Sequence, residues 1–249
     1  MPSRLFLTQS FHAEPAVCAL FEPGGVLAAG QVWQSEATKV VRVPVTEDQG
    51  CYLKRCGRES LKHLLRPLLF FRRPCSMAMR ELLMLQALRQ AGFPAMEPLA
   101  WGERRVLGIP VGGFLVVNEV RGQLADRLLS TLAGDEREPL LKEVGTLLGR
   151  LHAAGFYQPV RLKDLIRAEQ GLVLIDRETS KPWRGGFARR WCLESLRRSI
   201  RKSISDGSAL TRPDLEALAS GYCAAIAERW RVRPDELLTK TGNPGPGRS

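Results

Sequence analysis

The chain alternates apolar and polar residues early and changes to a helical period later. Val40-Val41-Arg42-Val43-Pro44-Val45 is β-rich, and Gly50-Cys51-Tyr52-Leu53-Lys54-Arg55 follows the turn-like Thr46-Glu47-Asp48-Gln49. Together they predict a hairpin. Ser76 to Ala91 predicts a helix: Ser76 caps it, strong helix formers fill it, and Gly92 stops it. Met77, Leu82, Leu85 and Leu88 recur there at helical spacing, and Pro94 and Pro98 then break the chain. Phe114 to Val120 predicts a strand with a polar end, followed by Gly122.

Helical periodicity dominates from there. Leu140 to Ala154 predicts an amphipathic helix ending at Gly155. Gly171 to Asp176 predicts a short buried strand that ends in a carboxylate. Arg189 to Ser205 predicts a strongly basic helix, and Pro213 to Trp230 a final amphipathic one. Thr239 to Ser249 has the composition of a disordered tail. The order predicts an α+β, two-lobed architecture. Residues 1–120 form a strand-rich N-lobe with one long helix, residues 121–238 a mainly helical C-lobe, and residues 239–249 the tail. The hinge falls near Glu119 to Gly122, and no internal repeat is present.

Composition narrows the partners. At 249 residues with 44% hydrophobic and 25% charged content, the chain reads as globular, but its net charge is +11. That excess asks for an anionic partner. It concentrates in Lys54 to Arg73 and in Arg184 to Lys202, each with seven Lys or Arg and one Glu. Neither cluster interleaves aromatics as single-strand platforms do, which argues against nucleic acid. Six scattered cysteines without a CxxC pair predict reduced thiols in a cytoplasmic protein, and neither disulfides nor zinc. No apolar run reaches the ~18 residues needed to span a bilayer, and the N-terminal stretch is too weakly apolar for a signal peptide. Any membrane contact is therefore expected to be peripheral.

The candidate chemistry is phosphoryl transfer, which needs positioning and charge neutralisation more than covalent steps. Lys54 lies on a predicted strand before the long helix, and Glu81 is the only acid in that helix. A strand lysine that meets nucleotide phosphates and a helix glutamate that orients it would fit this pair. A solvated lysine and a surface glutamate are the plain alternative. Asp176 ends an apolar strand, where a carboxylate is costly unless paired or metal-bound. It is the candidate magnesium ligand, with a turn cap as the alternative. A phosphate-covering loop is sought at Trp33 to Thr38, where Ser35 could present backbone N–H groups. Between Gly155 and Asp176 a kinase carries a catalytic aspartate and, five residues on, a second metal ligand. Counting from Gly155, those positions fall on Val160 and Leu165. A shift of one residue places Asp164 at the metal position and Pro159 at the catalytic one. Neither register supplies a base. His152 is expected to pack under this loop.

Several motifs together resemble a family. YLKR at 52–55, RELLMLQALRQAGFPAMEPLAWGER at 80–104, LVVNEV at 115–120, LHAAG at 151–155 and LIDRETSKP at 174–182 resemble the lipopolysaccharide core kinases of Gram-negative bacteria, the WaaP, Kdo kinase and InaA group. The resemblance spans roughly residues 32 to 205. It implies a protein-kinase-like fold and use of ATP and Mg2+ to phosphorylate an inner-core heptose or Kdo at the cytoplasmic face of the inner membrane. It implies that Lys54 holds the nucleotide phosphates, Glu81 pairs with it and Asp176 binds Mg2+. The family's catalytic aspartate has no match here. Two functions stay open: an ATP-dependent kinase of a core sugar or related envelope substrate, and a pseudokinase that binds nucleotide or acts as a scaffold. An antibiotic-kinase-like enzyme shares the fold but would need the intact loop.

Overall fold

The computed structural model describes residues 7–22, 39–45, 49–57, 74–176 and 189–226. The sequence-based expectations for Ser35, the turn at 46–48, most of the basic segment up to Arg73 and the tail lie outside them. The chain divides into two units, Met1–Val120 with Asp176–Lys181, and Arg121–Ile175 with Pro182–Ser249.

The first unit is built on a five-stranded antiparallel sheet. Its strands are β1 (Leu7–Ala13), β2 (Lys39–Pro44), β3 (Gly50–Cys56), β4 (Pro98–Val106) and β5 (Ile109–Asn118), in spatial order β1-β4-β5-β3-β2. β2 and β3 form the expected hairpin, with Val41 opposite Leu53 and Val40 opposite Lys54. Alternation sends Leu53, which is fully buried, into a core with Val17, Val43, Cys51, Ala100, Phe114 and Val116. Lys54 therefore faces the other side of the sheet, beside Leu115 of β5. Helix α1 (Met77–Gln90) buries Leu82, Met84, Leu85 and Leu88. Two strands were not expected from the sequence. β1 holds one apolar patch without clear alternation, and β4 carries Glu103, Arg104 and Arg105 within its apolar positions. The β4–β5 turn is made by Leu107 and Gly108, both at positive φ (51° and 79°), the conformation that matches strand twist in two-residue hairpins. Gly113 on β5 has a steric reason: a Cβ there would lie 2.6 Å from Ser76 Oγ, at the start of α1.

The second unit is mainly helical. It contains α2 (Ala125–Thr131), α3 (Arg137–Ala153), α4 (Arg189–Ser205) and α5 (Arg212–Ile226). A small sheet of β6 (Gln123–Leu124), β7 (Leu165–Ala168) and β8 (Gly171–Leu174) runs in the order β6-β7-β8. The fit to the periodicity is close for α3 and α4. α5 is described to Ile226, and 227–230 of the expected helix lie outside the described residues. α3 and α5 approach backbone to backbone. A Cβ on Gly145 would lie 2.0 Å from the Leu218 carbonyl oxygen, and one on Gly221 would lie 2.1 Å from that of Lys142. Leu141, Val144, Leu148, Leu151 and Tyr222 fill the core beside this contact.

Candidate phosphate site and the loop that follows it

Lys54 Nζ donates to Glu81 Oε1 at 2.5 Å and to Asp176 Oδ1 at 3.4 Å. The lysine and glutamate side chains are only 13% and 5% exposed, while Asp176 is 48% exposed. So the pair is largely shielded from water, and its cation is aimed at a carboxylate that solvent and ligands can reach. Burying either charge alone would be unfavourable. Three groups that lie far apart in sequence are thus brought together.

The scaffold fixes each of them. Lys54 is held by β2 on one side and β5 on the other. Glu81 sits one turn into α1, whose start is secured twice. Ser76 Oγ accepts from the Met79 N–H at 3.3 Å, and the Ser76 N–H donates to Glu103 Oε1 at 2.6 Å. Glu103 is 3% exposed and also pairs with Arg105. Asp176 has φ of +53°, a left-handed conformation that Asp adopts more readily than most residues. This backbone turn follows directly on the buried strand β8, whose end is fixed by the Ile175 N–H donating to the Asp164 carbonyl at 2.9 Å.

A second ion pair ties down the end of β5. Arg42 Nε and Nη2 donate to the two oxygens of Glu119, both at 2.7 Å, and Tyr52 Oη donates to Oε1 at 3.3 Å. Hydrogen bonding from Arg42 holds the Glu119 carboxyl below its usual range. Burial, reinforced by Glu119, pushes the Tyr52 phenol up.

The loop after α3 carries no free base at the expected positions. Val160 is 3% exposed, so its side chain belongs to the core. Leu165 is fully buried at the start of β7. Asp164 is 4% exposed and held by Arg161. Its Oδ2 accepts from the Arg161 backbone N–H at 3.0 Å, and its Oδ1 accepts from Nη2 at 2.7 Å and Nε at 3.0 Å. Both of its oxygens are therefore engaged by Arg161.

What holds this loop was not anticipated from the sequence. Ser195, Ser199 and Ser203 recur every four residues on the buried face of α4. Ser199 Oγ accepts from the Val160 N–H at 3.0 Å, and Ser203 Oγ accepts from the Leu162 N–H at 3.1 Å. Each hydroxyl then donates to the carbonyl four residues back, Ser199 to Ser195 and Ser203 to Ser199, both at 3.0 Å. Ser195 Oγ meets His152 Nε2 at 2.9 Å, and His152 Nδ1 meets Tyr222 Oη at 2.8 Å. His152 is fully buried beneath the loop. Burial pushes the nearby Cys192 thiol up to about 12, which keeps it protonated and unreactive. The legible signal was a serine at every fourth position among Cys192, Leu196 and Ile200.

Among the described residues, no group of three His, Cys, Asp or Glu could hold a metal by itself. Mg2+ needs no such cage: it is bound by one or two carboxylates together with substrate phosphates and water. The exposed carboxylate of Asp176 beside Lys54 offers that kind of hard oxygen donor. Among the described residues, no helix is long and apolar enough to cross a membrane.

No curated protein matches the chain significantly. The solved structure of WaaP in complex with acyl carrier protein superposes with a TM-score of 0.57 at 17% identity, covering 93% of this chain and 92% of that one. At this identity the likeness shows the fold alone, a kinase-like antiparallel sheet unit followed by a helical one. The bifunctional kinase-methyltransferase WbdD matches at a TM-score of 0.46 and 18% identity over 77% of this chain and 45% of its own, too loosely to carry an argument. The sequence profile of the Lipopolysaccharide kinase (Kdo/WaaP) family matches residues 29–222, well over half of the chain. With the fold shared and the match this long, the chain belongs to the lipopolysaccharide kinase (Kdo/WaaP) family.

Proposed function

We propose that this chain binds ATP with Mg2+ through Lys54, Glu81 and Asp176, and that it serves lipopolysaccharide core assembly as a nucleotide-binding protein with impaired phosphoryl transfer. The observation that carries this reading is the shielded Lys54–Glu81 pair, 2.5 Å long, with Asp176 3.4 Å from the same ammonium. Lys54 would meet nucleotide phosphate oxygens, Glu81 would hold its ammonium in place, and Asp176 would bind Mg2+. The metal, when bound, neutralises charge on the phosphates. Ser35 belongs to the same reading as a backbone donor to phosphate.

The impairment lies on the acceptor side. Val160 and Leu165 are buried apolar residues, and Asp164 is held by Arg161. A missing general base costs about 10²–10⁴ in rate. A second reading, an active kinase of an inner-core heptose or Kdo, is favoured by family membership and by the complete lysine–glutamate–aspartate set. The anionic core would suit the +11 charge of the chain under either reading.

Calorimetry with ATP, with and without Mg2+, tests the binding. Transfer from labelled ATP to isolated core oligosaccharide tests the rest. Mg2+-dependent binding without turnover is the expected result. Turnover at about 1–100 s⁻¹, ordinary for kinases, would overturn the impaired reading and leave the enzyme.

A further inference from the structure

The outer face of α4 is not used by the site. Its inner face, Cys192, Ser195, Leu196, Ser199, Ile200 and Ser203, is buried in the second unit. The outer face exposes Arg190, Arg198, Arg201 and Lys202, with Glu194 as its single acid. Glu194 is shared by Arg198 at 3.1 Å and Arg201 at 3.3 Å, so one negative charge is set against several positive ones. The same helix exposes two large apolar side chains, Trp191 at 51% and Ile204 at 45%, on the two flanks of the arginine stripe.

We propose that this outer face of α4 docks the protein on an anionic lipid bilayer. Cations alone would suit any polyanion. Cations flanked by an exposed tryptophan and an exposed isoleucine suit a surface with phosphate charge outside and hydrocarbon just beneath. The arginines meet lipid phosphates, while Trp191 and Ile204 enter the headgroup boundary. The proposal rests on the envelope role above, since a membrane-held acceptor asks for a protein held at the membrane. It does not depend on nucleotide binding.

Flotation of the full chain with vesicles of phosphatidylethanolamine and phosphatidylglycerol, against vesicles of phosphatidylcholine alone, tests it. Each cation near an anionic surface strengthens partition about fivefold. The triple variant R190Q/R198Q/R201Q is therefore expected to lose about 100-fold in partition, and W191A severalfold. Salt is expected to weaken binding to the anionic vesicles, and the phosphatidylcholine vesicles are expected to bind little. Unchanged thermal unfolding and unchanged Mg2+-dependent ATP affinity in these variants would separate docking from folding and from the nucleotide reading. Equal partition to both vesicle types, or no change in the triple variant, would overturn the proposal. Competition by soluble polyglutamate combined with no effect of W191A would also overturn it, and would assign the face to an acidic protein instead.

Discussion

Two positions test the proposed chemistry most sharply, Lys54 and Val160. Replacing Lys54 with Ala removes charge-assisted bonds worth about 1.5–3 kcal/mol, so ATP affinity should fall about 10–100-fold. It also leaves Glu81, 5% exposed, without this partner. Its unfolding temperature should drop as well, and the double variant with Glu81→Gln should recover part of the drop. Val160 answers a different question, whether the missing aspartate can simply be put back. The side chain is 3% exposed, so V160D would bury a carboxylate in apolar surroundings. Such a group has a raised pKa in the folded state. The unfolded chain ionises it more easily, so the pH-dependent part of the destabilisation is absent at acid pH and grows once pH exceeds the ordinary aspartate value of about 3.9. Thermal unfolding of V160D should therefore lie nearer the parent at pH 4 than at pH 8, without restored transfer. Equal differences at both pH values, or a gain of transfer, would contradict the burial argument. Lys54, Glu81 and Asp176 could be picked out in the sequence because each is a charged residue in a nearly apolar or strongly periodic stretch. The occupation of Asp164 by Arg161 could not, because nothing in RLKD distinguishes a free carboxylate from one its neighbour has bonded.

At the scale of elements, two contacts organise the second unit: the serine ladder of α4 and the glycine contact of α3 with α5. S199A would leave the Val160 N–H buried without its acceptor, and S203A would do the same for Leu162. An unsatisfied buried donor costs about 1–3 kcal/mol. Hydrogen exchange at these two amides should accelerate in the double variant S199A/S203A, well before exchange in the core of α3. Protection equal to that of the parent would show that the ladder does not hold the loop. Gly145→Ala places a methyl 2.0 Å from the Leu218 carbonyl oxygen, so α3 and α5 must separate. Overpacking of this kind costs about 1–3 kcal/mol, which should show as a clear fall in unfolding temperature. Periodicity marked α1, α3 and α4 because their buried stripes are regular and their ends carry Ser76, Gly92 or Gly155. β1 and β4 were hidden. In β4 the buried Glu103 occupies an interior position because it accepts from the Ser76 N–H at the start of α1 and pairs with Arg105, and the contact with α1 is tertiary. The serine ladder was equally hidden, since a serine in a basic helix reads as surface until its helix is packed.

At the scale of the molecule, the order of elements carried the architecture: a strand-rich unit with one long helix, then a helical unit. The family profile over residues 29–222 and the TM-score of 0.57 with WaaP agree with that order. Function was legible only in part, because the parts of the proposed phosphate site lie on well-marked strands and a helix, while the loop after α3 offers no free carboxylate at the expected positions. The central claim is that Lys54, Glu81 and Asp176 form a Mg2+-ATP site. Its most direct test is the ATP affinity of the full chain by calorimetry, in Mg2+ and in its absence, for the parent, Lys54→Ala and Asp176→Asn. Asparagine keeps the left-handed backbone at 176 and removes only the charge. The account predicts binding in the parent that requires Mg2+, loss of about 10–100-fold in Lys54→Ala, and loss of the Mg2+ requirement in Asp176→Asn. Binding that is absent in the parent, or unchanged in both variants, would contradict it.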